Sequence, residues 1–369
     1  MQLPKIKRLA IICHHPVQYY APLFKLLAQQ QEIKVFYHGK YSSNKIDKDF
    51  GRNIVWDVPL LQGYAYQFSH HIKDINDYSP TAILLYGWSY ISHLKILMHF
   101  SRKALILFRG DSTLLDPPNY WRAFIKSYLL NWIYRKVDYA VYVGSNNKAY
   151  FERYGLKQNQ LIYGRHAVDN ERFATNRHLE AKSLRALLQI PCDATLILFA
   201  GKLIEKKNPQ LLLEAFIHLS VPGVHLLIVG DGRLEPTLKA KVLTCRNQEL
   251  IHFLPFQNQQ RMPVVYQACD LFCMPSAGPG ETWGLAINEA MAAGKAVLAS
   301  NKVGAAADLI DGSNGQVFKS GDLRDLTQRL NTMLASKEKL RHMGLTSREK
   351  IESWNFQHQL DAIYGKRQQ

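Results

Sequence analysis

Two carboxylates, Glu281 and Glu289, stand eight residues apart in the otherwise apolar stretch PGETWGLAINEAMAAGKAV, residues 279–297. A carboxylate in apolar surroundings must find hydrogen-bond donors or give up its charge, so this pair either faces solvent or holds something. The flanking pattern separates the two. LFCMPS reads as a strand, AGPGETWG as a glycine-rich loop, and LAINEAMAAG as a helix with Gly294 as its C-terminal cap. Glu281 then lies in the loop and Glu289 about one turn into the helix, so they form no single acid–base dyad and each should hold a different part of a ligand. The helix start near Gly284 and Leu285 offers unpaired backbone N–H groups, which suit a diphosphate. Ligand hydroxyls would then answer the carboxylates, as ribose diols do at other α/β nucleotide sites. The alternative is a loop charge and a satisfied helix residue.

Cations stand in a matching place. In LILFAGKLIEKKNPQLLLEAF a strand ends at Gly201, a basic loop follows, and Asn208-Pro209 opens an amphipathic helix with Leu212, Leu213 and Phe216 inward. Lys202, Lys206 and Lys207 project from the strand's carboxyl end and suit phosphate oxygens. Cations at a helix N-terminus are unfavourable unless an anion is near; the other reading is a solvated charge cluster. In HLLIVGDGRLEPTLKAKV, Gly230 and Gly232 bracket Asp231 in a tight turn with close backbone approach, a feature that is structural more often than functional.

Elements that would position these groups recur along the chain. RLAIICH, IKVFYHG, TAILLYGW, ALILFRG and YAVYVGS read as buried strands between helical patterns. After a polar stretch, ATLILFAGK, VHLLIVGDG, ELIHFLPF, CDLFCMPS, KAVLASN and NGQVFK form a second series. The fold class is α/β, with two Rossmann-like doubly wound domains. A first domain is expected over residues 1–173, a linker over 174–193 and a second domain over 194–353, with 354–369 as a terminal segment. A ligand is expected in the crevice between the halves, outside the strands' carboxyl ends.

Composition bounds the reading. With 369 residues, 47% hydrophobic and 21% charged, the chain has the makeup of a globular protein. No run of 18 apolar residues exists, and the apolar stretch after KIKR is too short for a signal peptide, so a cytoplasmic location is expected. Five scattered cysteines argue for structural thiols rather than disulfides or zinc. Of the net charge of +16, residues 1–184 carry +12, from 25 Lys+Arg against 13 Asp+Glu. Such a field suits an anionic substrate, nucleic acid or an anionic membrane.

The ordered motifs G-K-x(4)-K-N-P, V-G-D-G, FLPF, CDLFCMPS, GETWGLAINEAMAAGKAVLAS and DGSNGQVF resemble those of the retaining glycosyltransferases of family 4, which have the GT-B fold. The likeness is strongest over residues 195–335, and the E-x(7)-E pattern of Glu281 and Glu289 matches the family's signature. It implies that Glu281, Thr282, Gly284 and Leu285 contact the transferred sugar, Glu289 the ribose, and Lys202 and Lys207 the diphosphate. Gly201 and Gly230 would line the same site, and Phe253 and Phe256 would lie near the base. Lys202 replaces the usual arginine, so charge is kept but bidentate contact is lost.

The first half departs from that pattern. HHPVQYYAPLF replaces the usual glycine-rich loop and is similar to a variant in a bacterial subset; it places His14, His15 and Gln18 at the acceptor or in a structural turn. LILFRGDST puts Arg109 and Asp111 where a histidine is usual. In GRHAVDNERF, His166 either contacts ligand or braces the hinge. In NYWRAFIKSYLLNWIYRKV, Trp121, Phe124, Tyr128 and Trp132 recur at helical spacing among Arg122, Lys126, Arg135 and Lys136. This suits a membrane surface, and a core-facing helix is the plainer account. DKD, residues 47–49, follows no apolar strand and is discounted as a metal motif.

Together these imply a retaining transferase that moves a sugar from a nucleotide-diphosphate donor to a hydroxyl acceptor, a glycan or a lipid-linked intermediate of surface polysaccharide or glycolipid synthesis. No metal, no other cofactor and no nucleic acid is expected; an anionic membrane surface at its inner face is a candidate partner. The rival readings are a nucleotide-sugar epimerase on the same fold and a non-enzymatic polyanion-binding module.

Overall fold

The computed structural model describes residues 4–39, 46–47, 52–53, 55–69, 71–117 and 119–365. The chain divides into two compact units: Met1–Ser42, Val58–Ala167 and Trp354–Gln369 form the first, and Ser43–Asp57 with Val168–Ser353 the second.

Along the chain come β1 (Arg8–Cys13), α1 (Ala21–Gln30) and β2 (Glu32–Tyr37), then a short antiparallel ribbon of β3 (Ile46–Asp47) and β4 (Arg52–Asn53). The first unit continues with β5 (Ala65–Phe68), α2 (Ile72–Tyr78), β6 (Ala82–Tyr86), α3 (Ile91–Phe100), β7 (Leu105–Arg109), α4 (Tyr120–Tyr134), β8 (Tyr139–Tyr142), α5 (Ser145–Arg153) and β9 (Leu161–Tyr163). Its seven strands are parallel in the order β5-β2-β1-β6-β7-β8-β9. Both faces are buried, which is why the strands read as continuous apolar runs. Ile12, Ile83, Leu85 and Phe108 face the helices α2 to α5. Leu9, Ile11, Val35, Leu84 and Leu107 face α1.

The second unit runs through α6 (Asn170–Ala174), α7 (His178–Leu187), β10 (Thr195–Ala200), α8 (Pro209–Ile217), β11 (Val224–Val229), α9 (Glu235–Leu243), β12 (Ile251–Leu254), α10 (Met262–Ala268), β13 (Leu271–Met274), α11 (Ala286–Ala292), β14 (Ala296–Ser300), α12 (Ala306–Leu309), β15 (Gly315–Phe318), α13 (Leu323–Leu334) and α14 (Lys337–Glu352). Its six parallel strands stand in the order β12-β11-β10-β13-β14-β15. The terminal helix α15 (Phe356–Tyr364) returns to the first unit, where Leu360 and Ile363 are buried beside α1. Each such buried side chain contributes roughly 1.5–3 kcal/mol.

Two boundaries differ from the sequence reading. Half of the expected linker, residues 174–193, is the helix α7, and the whole segment is part of the second unit. Its Arg185 is buried and donates to the carbonyls of Ala268 (2.9 Å) and Pro191 (3.0 Å) and to Asp270 Oδ2 (3.4 Å). These contacts pin the helix to the domain beneath it. The segment 43–57 also goes with the second unit: Asn258 Nδ2 donates to Val55 O (2.6 Å) and Gln260 Nε2 to Asp57 O (2.5 Å). Of the DKD motif, Lys48 and Asp49 lie outside the described residues.

Candidate active site

In the second unit the strand order reverses between β10 and β13, and parallel sheets collect ligands at the carboxyl ends beside such a switch point. The loops leaving these two strands carry Lys202, Lys206 and Lys207 on one side and Ser276 to Gly284 on the other. They are laced together: Ala277 N donates to Lys206 O (2.9 Å), and Lys206 Nζ to Gly280 O (2.5 Å). At their centre Lys207 Nζ pairs with Glu281 Oε2 at 2.7 Å, and Ser276 Oγ donates to the same oxygen at 3.1 Å. Glu281 is 6% exposed, so this ion pair is far better shielded than a surface bridge. The left-handed φ of Asn208 (51°), tolerable for asparagine, turns the chain from the lysine loop into α8 at Pro209.

Glu289 lies on the first turn of α11, is 3% exposed and accepts from Tyr266 OH at 2.8 Å. The loop before α11 is held rigidly. Trp283 Nε1 donates to Asn288 Oδ1 (2.9 Å), Gly304 N to Glu281 O (3.2 Å) and Ala305 N to Trp283 O (2.8 Å). A Cβ on Gly304 would stand 1.8 Å from Thr282 O, and one on Gly284, whose φ is +95°, 2.8 Å from Val303 Cγ1. The helix itself has only seven residues, so its dipole is short and cations must come chiefly from the lysines. Gly294, with φ +71°, follows its C-terminal end as the sequence predicts.

The glycine turn also forms, for a structural reason. A Cβ on Gly230 would meet Gly201 O at 2.0 Å, and Asp231 Oδ1 accepts from Phe256 N at 2.9 Å. Phe253, named as lying near the base, is half-buried. It is the third residue of β12 and pairs in register with the core residue Ile228. Its ring therefore packs against the core with Lys239 Nζ 5.8 Å above it, and that face is already covered. Phe256 sits beyond the strand, edge-on to Trp56 at 6.2 Å.

In the first unit the order reverses between β1 and β6, and a cavity of about 210 Å³ opens at the carboxyl ends there. His14, His15, Arg109, Asp111 and His166, scattered over 150 residues of sequence, all line it; Gln18, in the turn entering α1, does not. His14 stacks on Tyr90 with ring centroids 3.8 Å apart. Arg109 is 3% exposed; Nη1 donates to Gly164 O (3.1 Å), while Nη2 is buried with no hydrogen-bond partner. The buried hydroxyl of Tyr86 also lacks one. An unsatisfied buried donor costs about 1–3 kcal/mol, and more when charged. Burial pushes the His166 imidazolium pKa well down, and the Arg109 guanidinium adds to the effect.

Sequence reasoning missed Tyr266, Ser276, Tyr20 and Tyr86. Ser276 could be suspected from its place just after a strand, but nothing in pattern or spacing pairs Tyr266 with Glu289, because they meet only when α10 and α11 pack. For α4 the plainer account fails. Trp121, Phe124, Tyr128 and Trp132 are all exposed, at 75%, 67%, 80% and 46%, and the helix buries Leu130, Ile133 and Tyr134 instead. Arg122 and Arg135 are exposed as well, whereas Lys126 turns inward over the Tyr150 ring at 5.1 Å. Among the described residues no helix is long and apolar enough to cross a membrane, and no three His, Cys, Asp or Glu side chains converge as metal ligands.

Comparison with known proteins bears on both units. Residues 181–350 match the family model described as glycosyl transferases group 1. The D-inositol 3-phosphate glycosyltransferase of Mycolicibacterium smegmatis is 29% identical over 184 residues, 48% of this chain and 41% of that protein. The chain spans less than half the length of the first curated relatives it matches. Among solved structures, Anabaena Alr3699/HepE in complex with UDP and glucose is similar with a TM-score of 0.74 at 14% identity, covering 97% of this chain and 98% of that one. Sucrose-phosphate synthase from Thermosynechococcus elongatus is similar with a TM-score of 0.72 at 19% identity, covering 97% of each chain. Two Rossmann-like units with parallel sheets, similar to these solved structures over nearly the whole chain, make the fold of this chain GT-B.

Proposed function

We propose that the protein is a retaining glycosyltransferase of family 4 that moves a sugar from a nucleotide-diphosphate donor to a hydroxyl acceptor. The observation that carries this reading is the shielded Lys207–Glu281 pair at the second unit's switch point, inside the stretch that matches the glycosyltransferase model. An ammonium has three donors. One engages Glu281, and the others remain for diphosphate oxygens. Both contacts to Glu281 fall on Oε2, so Oε1 is left to accept from a hydroxyl of the transferred sugar. Glu289, steadied by Tyr266, takes the ribose diol.

Catalysis is then electrostatic. Negative charge grows on the departing diphosphate, and groups already fixed around it lower the barrier most. Lys207 and Lys202 supply that charge, with the backbone of Thr282, Gly284 and Leu285 against the sugar and phosphates. On this reading the lysines stand in for a metal, and turnover in EDTA equals turnover without it. The departing phosphate oxygen takes the acceptor's proton, so a protein base is not required.

That a structural neighbour was solved with UDP and glucose supports a donor of this class. The acceptor is a glycan or a lipid-linked intermediate of surface polysaccharide or glycolipid synthesis. The exposed aromatic and basic face of α4 supports docking on an anionic membrane, a peripheral location. A Trp121→Ala, Phe124→Ala, Tyr128→Ala triple variant should lose sedimentation with phosphatidylglycerol vesicles; undiminished sedimentation refutes the membrane proposal. A panel of nucleotide sugars, screened by thermal shift and then for donor hydrolysis and transfer, tests the enzyme reading. It fails if none binds, or if Lys207→Met and Glu281→Ala transfer normally.

A further inference from the structure

The first unit's cavity contains two donors for which the fold provides no acceptor. Tyr86 and Arg109 are register partners at the ends of β6 and β7, so their side chains leave the same face of the sheet side by side. That face carries Leu84 and Leu107 into the core beneath α1, and at its last rung the core gives way to the cavity. Arg109 spends Nη1 on Gly164 O, and Nη2 is buried without a partner; the Tyr86 hydroxyl is in the same condition. A guanidinium cannot discharge itself by losing a proton. Burial pushes the phenols of Tyr20 and Tyr86 upward, so both stay protonated as donors. Two orphaned donors at one strand end, one of them cationic, fit an oxyanion.

We propose that this cavity binds an acidic sugar, with its carboxylate or phosphate ester on Arg109 Nη2 and Tyr86 OH. That the acidic sugar is the acceptor rests on the transferase reading; the binding of the anion does not. Asp111 lines the same cavity, which disfavours a bare anion and favours one that also offers hydroxyls to a carboxylate. At 210 Å³ the cavity lies below the usual 300–1,000 Å³ of ligand pockets, room for one ring rather than a chain.

The test is calorimetric titration of the full-length chain, at fixed ionic strength, with glucuronate, glucose 6-phosphate, glucose and inorganic phosphate. At least one acidic sugar should bind ten-fold or more tightly than glucose, and more tightly than phosphate alone. Glucuronate preference assigns a carboxylate and glucose 6-phosphate preference a phosphate. Arg109→Gln should weaken that binding at least ten-fold. Tyr86→Phe, which keeps the ring and removes only the orphaned hydroxyl, should weaken it about five-fold with an unchanged circular dichroism spectrum. UDP and GDP titrated into both variants separate this site from the donor site: their binding should match wild type, and its loss in wild type would indict the transferase reading alone. Glucose binding as tightly as both acidic sugars, or acidic-sugar binding unaltered in Tyr86→Phe, overturns the proposal.

Discussion

The two switch points differ in how their polar groups are satisfied. In the second unit the carboxylate of Glu281 already has Lys207 and Ser276, and that of Glu289 has Tyr266. In the first unit Arg109 and Tyr86 keep donors that the fold does not use. A network closed on itself holds its geometry before anything binds, which is how preorganised electrostatics acts. Orphaned donors instead leave a cost that a ligand can relieve. The second unit should therefore respond to loss of a partner with lost rate or stability, and the first with lost affinity for charge.

The largest expected break is at Glu281. Glu281→Ala removes the proposed sugar contact and the partner of Lys207 at once, and turnover should fall by about 10²–10³, the scale seen when one transition-state contact is deleted. Lys207→Met should cost about as much, and the double variant far less than the sum, since the two act as a pair. Steady-state kinetics on the four proteins checks this; additive losses would mean that the pair does not function as a unit. Next comes Gly304→Ala. Its Cβ would stand 1.8 Å from Thr282 O, backbone that the Gly304–Glu281 and Ala305–Trp283 hydrogen bonds hold in place. Overpacking of this kind costs about 1–3 kcal/mol. Calorimetry should record a melting point lower by several degrees, together with weaker donor binding.

The central strands were readable because a strand buried on both faces is an uninterrupted apolar run. RLAIICH and TAILLYGW became β1 and β6, and ATLILFAGK became β10. Two strands of the first sheet that the pattern does not show, β5 and β9, are its edges, short and only partly buried, so their residues carry no such run. At the site, the spacing of Glu281 and Glu289 and the Asn208-Pro209 helix start were legible, because glycine, proline and capping chemistry are local. Their partners were not. Tyr266 reaches Glu289 across two packed helices, and Tyr86 meets Arg109 through strand register, which 22 intervening residues do not announce.

Tyr266→Phe separates fit from charge in the second unit. It leaves the Glu289 carboxylate buried and short of one donor, a loss of about 1–3 kcal/mol. Donor affinity should fall roughly ten-fold while the rate at saturation changes less. Equal binding by this variant would show that Glu289 needs no steadying.

The smallest effect probes the first unit through His166. In the unfolded chain a histidine takes up a proton near pH 6.5, but in the folded state burial, and then Arg109, hold its pKa well below that. Below pH 6.5 the unfolded state therefore binds a proton that the folded state refuses, and stability falls as pH drops; above pH 6.5 the group contributes no slope. Other buried histidines add to the total, so the informative quantity is a difference. Urea midpoints at pH 7.5 and 5.5 should fall less in His166→Gln than in wild type. Arg109→Gln removes the weaker of the two causes, so it should raise the His166 pKa part of the way and leave it below 6.5, read from the ring proton by NMR. A wild-type His166 titrating near 6.5 would mean that the ring is wet and that the guanidinium beside it is no buried charge. The contrast with the second unit would then lose its physical basis.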